Sequence, residues 1–386
     1  MAVYFAFGLA IGLMPPMVDE ISADLDLSRS TMGSILGAWA LIYVFTAVPG
    51  GAIVDRIGLR RAMLIGGLSV ATSLAVRGLA TGAVSLFLAV AIFGLGGPLV
   101  SITTPKLVAS LFEEDRRRLP TGLGVSAPGI GSALGFALPN PVLLPLFNDS
   151  WRAVLGLGAA ISLLCCGYWL WATRASLTTA PPAAPMAKGT LQRLLGLTTM
   201  RWILWISLFS FAFSHGLNGW LPEMLTDAGL TDDGAGYIAA ASTVLGILGS
   251  LTIARLVPGR TRAIALGGVY AVLALCAIGL GTLGQGGVVV VTLLLGFVRS
   301  GSIPLMFLTL MDDPDISVAD MGAATGLFFA VGEIGGFGGP WGIGLIADRT
   351  DGFAAASFAL AGVAVAGLFG AAGLARLRRR SRPATS

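Results

Sequence analysis

The sequence predicts an all-α integral membrane protein of twelve transmembrane helices in two pseudo-symmetric six-helix bundles. Three observations carry this. The 386 residues are 55% hydrophobic and only 11% charged, with a mean hydropathy of +0.86. A soluble domain carries roughly 25% charged residues, so the surplus apolar surface must face a lipid bilayer. Apolar stretches of spanning length, about 20 residues each, recur twelve times, and basic residues crowd alternate loops.

The stretches fall near residues 2–18, 31–52, 61–80, 84–111, 120–146, 151–173, 201–223, 233–257, 261–283, 286–311, 320–347 and 353–376. The first is short, so the true first helix is either longer or trimmed at its start; Pro15-Pro16 and Asp19-Glu20 follow it. No basic region precedes it and no small-residue cleavage pattern follows, so it is expected to be a span and not a signal peptide. The 55 glycines suit membrane helices that pack closely through small side chains.

With the N-terminus placed in the cytoplasm, 18 of the 24 basic residues fall in inner loops and the C-terminal tail. The outer loops hold Arg29, Arg152 and Arg349, and Arg77, Lys106 and Arg299 fall within helices. This asymmetry predicts a multi-pass protein of the plasma membrane with both termini cytoplasmic. The inner loop with Asp312, Asp313, Asp315 and Asp320 runs against the trend, but acidic residues count little in the rule. The net charge of +4 is topological, and no nucleic-acid partner is expected.

The longest inner loop contains the Pro/Ala stretch 178–185, which has nothing to bury and reads as a linker. It divides the chain into a first bundle (1–173), a cytoplasmic linker (174–200), a second bundle (201–376) and a basic tail (377–386). The halves echo each other. Gly94, Gly96 and Gly97 in the fourth stretch match Gly296 and Gly301 in the tenth; Gly129 and Gly131 in the fifth match Gly335, Gly336, Gly338 and Gly339 in the eleventh. Paired glycine-rich helices in two halves point to an alternating-access transporter with its site at the repeat interface.

Other chemistries are poorly supplied. Cys165, Cys166 and Cys276 all lie in apolar stretches, and His215 is the single histidine. No metal site, catalytic triad or cofactor is expected, and the chain is not read as an enzyme. The glycine clusters lack the Lys-Ser/Thr ending of a phosphate loop, which argues against ATP-driven pumping. A transport-like receptor without flux stays open as another class, although no loop is long enough to form a signalling domain.

Between the second and third stretches stands Gly51-Ala52-Ile53-Val54-Asp55-Arg56-Ile57-Gly58-Leu59-Arg60-Arg61. A glycine, Asp-Arg four residues on, then glycine and a basic pair: here the chain resembles the major facilitator superfamily. Gly51 would let a neighbouring helix approach, Gly58 would take the positive φ of a turn, and Asp55 would suit the N-terminus of a facing helix. The resemblance implies that Gly51, Asp55, Arg56, Gly58, Arg60 and Arg61 latch the two halves on the cytoplasmic side. Trp151-Arg152 and Trp220-Leu221-Pro222 look like the superfamily's punctuation, and the latter, with Gly332-Glu333-Ile334-Gly335-Gly336, is similar to its cyanate permease-like branch. Val90 stands where many proton-coupled members carry arginine, and Ala127-Pro128 where the antiporter signature has Gly-Pro.

The resemblance implies a cavity lined by the first, fourth, seventh and tenth helices. Ser207, Ser210, Ser214 and Asn218 share one face of the seventh, and such a stripe should face a cavity or a partner helix. On the tenth, Thr292, Arg299, Ser302, Met306 and Thr309 lie near one face. An arginine near mid-membrane costs about 2.5–3.5 kcal/mol on insertion scales, so Arg299 needs a counter-charge or water. Glu333 is the acid at similar depth. Either Arg299 binds an anionic solute while Glu333, once displaced, takes up a coupling proton, or the two form a fixed ion pair. His215 sits one position from the stripe and could touch solute. Lys106 and Arg77 lie near helix ends and are expected to snorkel. Together these predict a monomeric secondary active transporter of a small solute, a small organic or inorganic anion, working by alternating access. Drug or metabolite efflux is the alternative.

Overall fold

The computed structural model describes residues 1–113, 116–174, 189–317 and 320–380, excepting the side chains of Arg118, Ala254, Arg379 and Arg380. The linker stretch 178–185 and the tail beyond 380 lie outside the described residues. Among those described, every regular element is helical. Ten helices are long and apolar enough to cross a membrane, and two bent pairs bring the number to twelve.

The first bundle contains α1 (Ala2–Leu25), α2 (Arg29–Ile57), α3 (Leu59–Gly78), α4 (Ala83–Leu111), α5 (Arg118–Ala137 and Pro139–Leu146) and α6 (Trp151–Ala172). The second contains α7 (Thr198–Asp227), α8 (Asp232–Leu256), α9 (Arg262–Thr282), α10 (Gln285–Arg299 and Ser302–Met311), α11 (Met321–Thr350) and α12 (Ala354–Arg380). A short linker helix, Thr190–Gly196, meets α7 at 87°. Side-chain hydroxyls cap several starts: Ser28 accepts from the Thr31 N–H at α2, and Thr231 accepts from the Gly234 N–H at α8.

Three elements depart from the expected spans. α1 runs on past residue 18, because Pro15–Met17 forms a 3-10 turn that carries the chain into Val18–Leu25. α5 bends by 52° where Pro139, lacking an N–H, interrupts the ladder. α10 is broken at Ser300-Gly301, directly after Arg299.

Small residues set the packing within each bundle. A Cβ at Gly8 or Gly12 would strike the backbone of Pro128 or Ser132, so α1 and α5 meet backbone to backbone. The counterpart pair, α7 and α11, meets in the same way where Gly335 faces Leu208 and Gly339 faces Ala212. Close approach of this kind replaces the hydrophobic drive that lipid removes.

Between bundles, α2 runs along α11 and α5 along α8. The hydrogen-bonded ties gather at the end away from the linker. There the Arg29 and Ser30 N–H groups donate to Asp348, and Arg29 lies 3.6 Å from Asp351. Gly33 packs on Pro340 and Gly236 on Phe136 at the same end. The bundles are therefore clamped at their far end.

Candidate functional site

α7 carries the site, and its helical period decides what each neighbour meets. Ser214 and Asn218, four residues apart, present one face to α10. Arg299 Nη1 donates to the Ser214 carbonyl at 3.1 Å and to Asn218 Oδ1 at 3.0 Å. His215, about 100° further round, faces α11, where its Nδ1 lies 3.7 Å from Glu333 Oε2. α7 thus stands between Arg299 and Glu333. The expected Arg299–Glu333 pair does not form, because the two side chains reach different faces of the same helix.

Glu333 is 2% exposed. Its Oε2 and His215 Nδ1 are both buried without a hydrogen-bond partner among the described residues. Gly336 makes room for them: a Cβ there would lie 2.6 Å from His215 Nδ1 and collide with Glu333 Oε2. Trp39 of α2 closes the site from the first bundle, its ring 4.9 Å from that of His215 and at 88° to it.

Arg299 is the last residue of the first segment of α10, directly before the turn at Ser300-Gly301. Its Nε and Nη2 make no hydrogen bond among the described residues, so one edge of the guanidinium fork is unclaimed. Ser302 and Ser210 are buried and meet at 3.3 Å between their hydroxyls, tying α10 to α7. Ser302 also donates to the Arg299 carbonyl at 2.8 Å. Ser207 is fully buried and bonds the Leu204 carbonyl of its own helix, so it packs rather than lining a cavity.

At the linker end, Gly58 has φ of +83°, as the turn reading expects. Asp55 meets Lys106 Nζ of α4 at 2.5 Å rather than a facing helix N-terminus. Lys106 therefore pairs within its bundle instead of snorkelling. Nothing lies within 4 Å of a Cβ placed at Gly51, and the close approach falls at Gly50, against Pro98 and Ile102. Arg60 bonds Thr173 at 3.1 Å, while Arg56 and Arg61 are exposed.

The expectation for Arg77 is also overturned. It is buried, donating to the Ala10 carbonyl and to Ser73 Oγ, each at 3.1 Å. Ser73, one helical turn before it, was the available sign that Arg77 turns inward. Trp39 was unmarked, since a tryptophan reads as ordinary packing, and Gly336 was marked only as one of the glycines that echo the fifth stretch.

The sequence profile of the Major Facilitator Superfamily matches residues 1–340. The chain belongs to the Major Facilitator Superfamily. It is similar to the hexuronate transporter of Bacillus subtilis (strain 168), at 25% identity over 250 residues, 62% of this chain and 58% of that one. It is similar to the gallate transporter of Pseudomonas putida at 26% over 317 residues, 72% of this chain and 68% of that one. Similarity also reaches the multidrug efflux pump LfrA of Mycolicibacterium smegmatis (strain ATCC 700084 / mc(2)155), at 31% over 143 residues, 33% of this chain and 28% of that one. The chain thus spans less than two thirds of the hexuronate transporter and under a third of the efflux pump. The superfamily fold is shared with a crystal structure of the nucleoside transporter NupG, at a TM-score of 0.79 and 16% identity, covering 97% of this chain and 98% of that one.

Proposed function

We propose that this chain is a secondary transporter that moves a small organic anion across the plasma membrane by alternating access. The observation that carries the reading is Arg299: a guanidinium at a helix break, held by the Ser214 carbonyl and Asn218, with Nε and Nη2 unclaimed and no carboxylate paired to it among the described residues. A fork held on one side and open on the other suits a carboxylate. The relatives named for hexuronate and gallate, both acids, support the same solute class.

His215 and Glu333 form the coupling element. A buried carboxyl with an oxygen free of partners can exchange a proton with a bound solute's surroundings, and the imidazole at 3.7 Å is its neighbour for that exchange. The basic loops support cytoplasmic termini, and the chain acts as a monomer without cofactor. The motif at Gly51, Asp55, Arg56, Gly58, Arg60 and Arg61 serves as the conformational latch.

The test is uptake of D-glucuronate and gallate into proteoliposomes with and without an imposed pH gradient. Gradient-dependent uptake in wild type, lost in a folded Arg299→Lys variant, supports the reading. Uptake that ignores Arg299→Lys removes the anion site. Extrusion of a cationic dye with no acid uptake would favour the efflux reading, which the similarity to a multidrug pump keeps in view.

A further inference from the structure

We propose that Arg77 and the cavity beside it form a second anion subsite, in the first bundle, that takes a carboxylate group of the solute. The inference rests on the reading of this chain as an anion transporter. The cavity lies between α1, α2, α3 and α4, with a volume of about 30 Å³, roughly two waters' worth and so on the scale of a single carboxylate group. Ala10, Met14, Trp39, Val90 and Phe93 line it with Arg77. Arg77 is 3% exposed and has no carboxylate partner among the described residues. A buried guanidinium without a counter-charge is costly, and a structural strut would be better built from a neutral donor.

The geometry holds the guanidinium as a binding group. Nη1 is fixed by the Ala10 carbonyl of α1 and touches Met14 Sδ at 3.5 Å; Nε is fixed by Ser73 Oγ. Ser73 in turn donates to the Ala89 carbonyl of α4 at 2.7 Å, so α4 positions the serine that positions Arg77. Nη2 makes no hydrogen bond among the described residues. The Phe93 ring lies 5.8 Å from the guanidinium carbon and leaves a mostly apolar wall around one cationic donor. In such surroundings a carboxylate gains more from the charge than it would in water.

Trp39 connects this cavity to the site on α7. Trp39 is one of the residues lining the Arg77 cavity, and its ring contacts His215 edge-on across the bundle interface. An anion at Arg77 and the His215–Glu333 pair therefore share one aromatic wall. Each bundle then offers one guanidinium to the solute, Arg77 from the first and Arg299 from the second.

The experiment measures binding of D-glucuronate, gallate and benzoate, with D-glucose as a neutral control, to the purified full chain in detergent. Wild type, Arg77→Met, Arg77→Lys, Val90→Met and Arg299→Lys are compared by calorimetry. Loss of a charge-assisted contact predicts Kd raised roughly ten- to a hundredfold in Arg77→Met, and a smaller rise in Arg77→Lys, whose point charge lacks the fork. Val90→Met fills the cavity while leaving the Arg77 hydrogen bonds in place, and should weaken binding even if Arg77→Met fails to fold. An acid that binds wild type and binds Val90→Met and the folded Arg77 variants equally well overturns the subsite; loss in Arg299→Lys alone would then leave the transporter reading standing. If no acid binds wild type, both readings fall together.

Discussion

Asp348, near the end of α11, caps the N-terminus of α2 at Arg29. Its Oδ1 accepts the Arg29 N–H at 2.9 Å and its Oδ2 accepts the Ser30 N–H at 2.7 Å. An anion here meets both the free amides and the positive end of the helix dipole. Gly344 makes the approach possible, since a Cβ there would strike the Arg29 carbonyl and lie 3.0 Å from the Trp220 ring. The run Gly344-Leu345-Ile346-Ala347-Asp348-Arg349 repeats the spacing of Gly51-Ala52-Ile53-Val54-Asp55-Arg56 at the opposite end of the partner helix. At the far end the cap is engaged. At the linker end Asp55 is turned to Lys106.

Asp348→Asn should loosen the far-end clamp. It leaves one acceptor oxygen and removes the charge, a loss of about 1.5 kcal/mol or roughly tenfold in the open-to-closed ratio. A cysteine at Ser34, in a chain with Cys165, Cys166 and Cys276 replaced by alanine, reports the opening by its rate of maleimide labelling. Faster labelling with slower transport is expected. Unchanged labelling would show that the apolar packing of Gly33 on Pro340 closes this end without the cap.

Asp55→Asn is expected to slow transport several-fold while leaving insertion intact. It strands Lys106, but a partly exposed pair contributes only about 0.5 kcal/mol, so the main effect falls on the conformational cycle. The charge swap Asp55→Lys/Lys106→Asp separates the pair from the latch. Uptake should stay low in the swap if Asp55 must also serve a facing helix terminus. Full recovery of uptake would mean that the contact with Lys106 is its whole role.

The spans were legible because a bilayer demands long apolar runs, and all twelve expected stretches coincide with helices. Local chemistry also reads well: Gly58 has the positive φ that a glycine between two helices suggests. What sequence could not supply was the rotation of one helix against another. Arg299 and Glu333 have matching depth, yet α7 intervenes, and only its packing orientation puts His215 rather than Arg299 beside the carboxyl. Arg77 lies one residue from the end of α3, where snorkelling is the usual outcome; Ala10 and Ser73 hold it inward instead. The turn after Arg299 falls in the glycine-bearing run from Gly296 to Gly301 that the sequence marked as an echo of the fourth stretch; only its exact place, at Ser300-Gly301, was not legible in an apolar run. The far-end cap was visible in principle, as the repeated Gly-x-x-x-Asp-Arg spacing.

Acid should loosen the linker helix. The Ser317 hydroxyl and the Arg193 guanidinium, the latter at 2.5 Å, hold the Asp320 carboxyl below its ordinary range. With the folded value below the unfolded one, the contact stabilises above the ordinary aspartate range and is lost as pH falls through the lower, folded value. Limited proteolysis near Thr190–Gly196, followed from pH 7 down to pH 3, should accelerate in wild type toward the acid end. Asp320→Asn should already be fast at pH 7 and change less. Equal pH profiles would place the acid sensitivity elsewhere.

Gly336 gives the sharpest test of the His215–Glu333 pair. A methyl group at this position would sit 2.6 Å from His215 Nδ1 and against Glu333 Oε2, so one side chain must leave. Overpacking of this kind costs about 1–3 kcal/mol, small enough for the chain to insert and stay folded. Gly338→Ala is the matched control on the same helix, since nothing lies within 4 Å of a Cβ there. Gly336→Ala should lose proton-driven uptake at least tenfold, while exchange of solute across the membrane without a pH gradient falls much less. Gly338→Ala should match wild type in both assays. If Gly336→Ala loses both activities equally, the His215–Glu333 pair shapes the solute cavity itself. If it loses neither, the pair has no part in transport, and the coupling role assigned to Glu333 must be withdrawn.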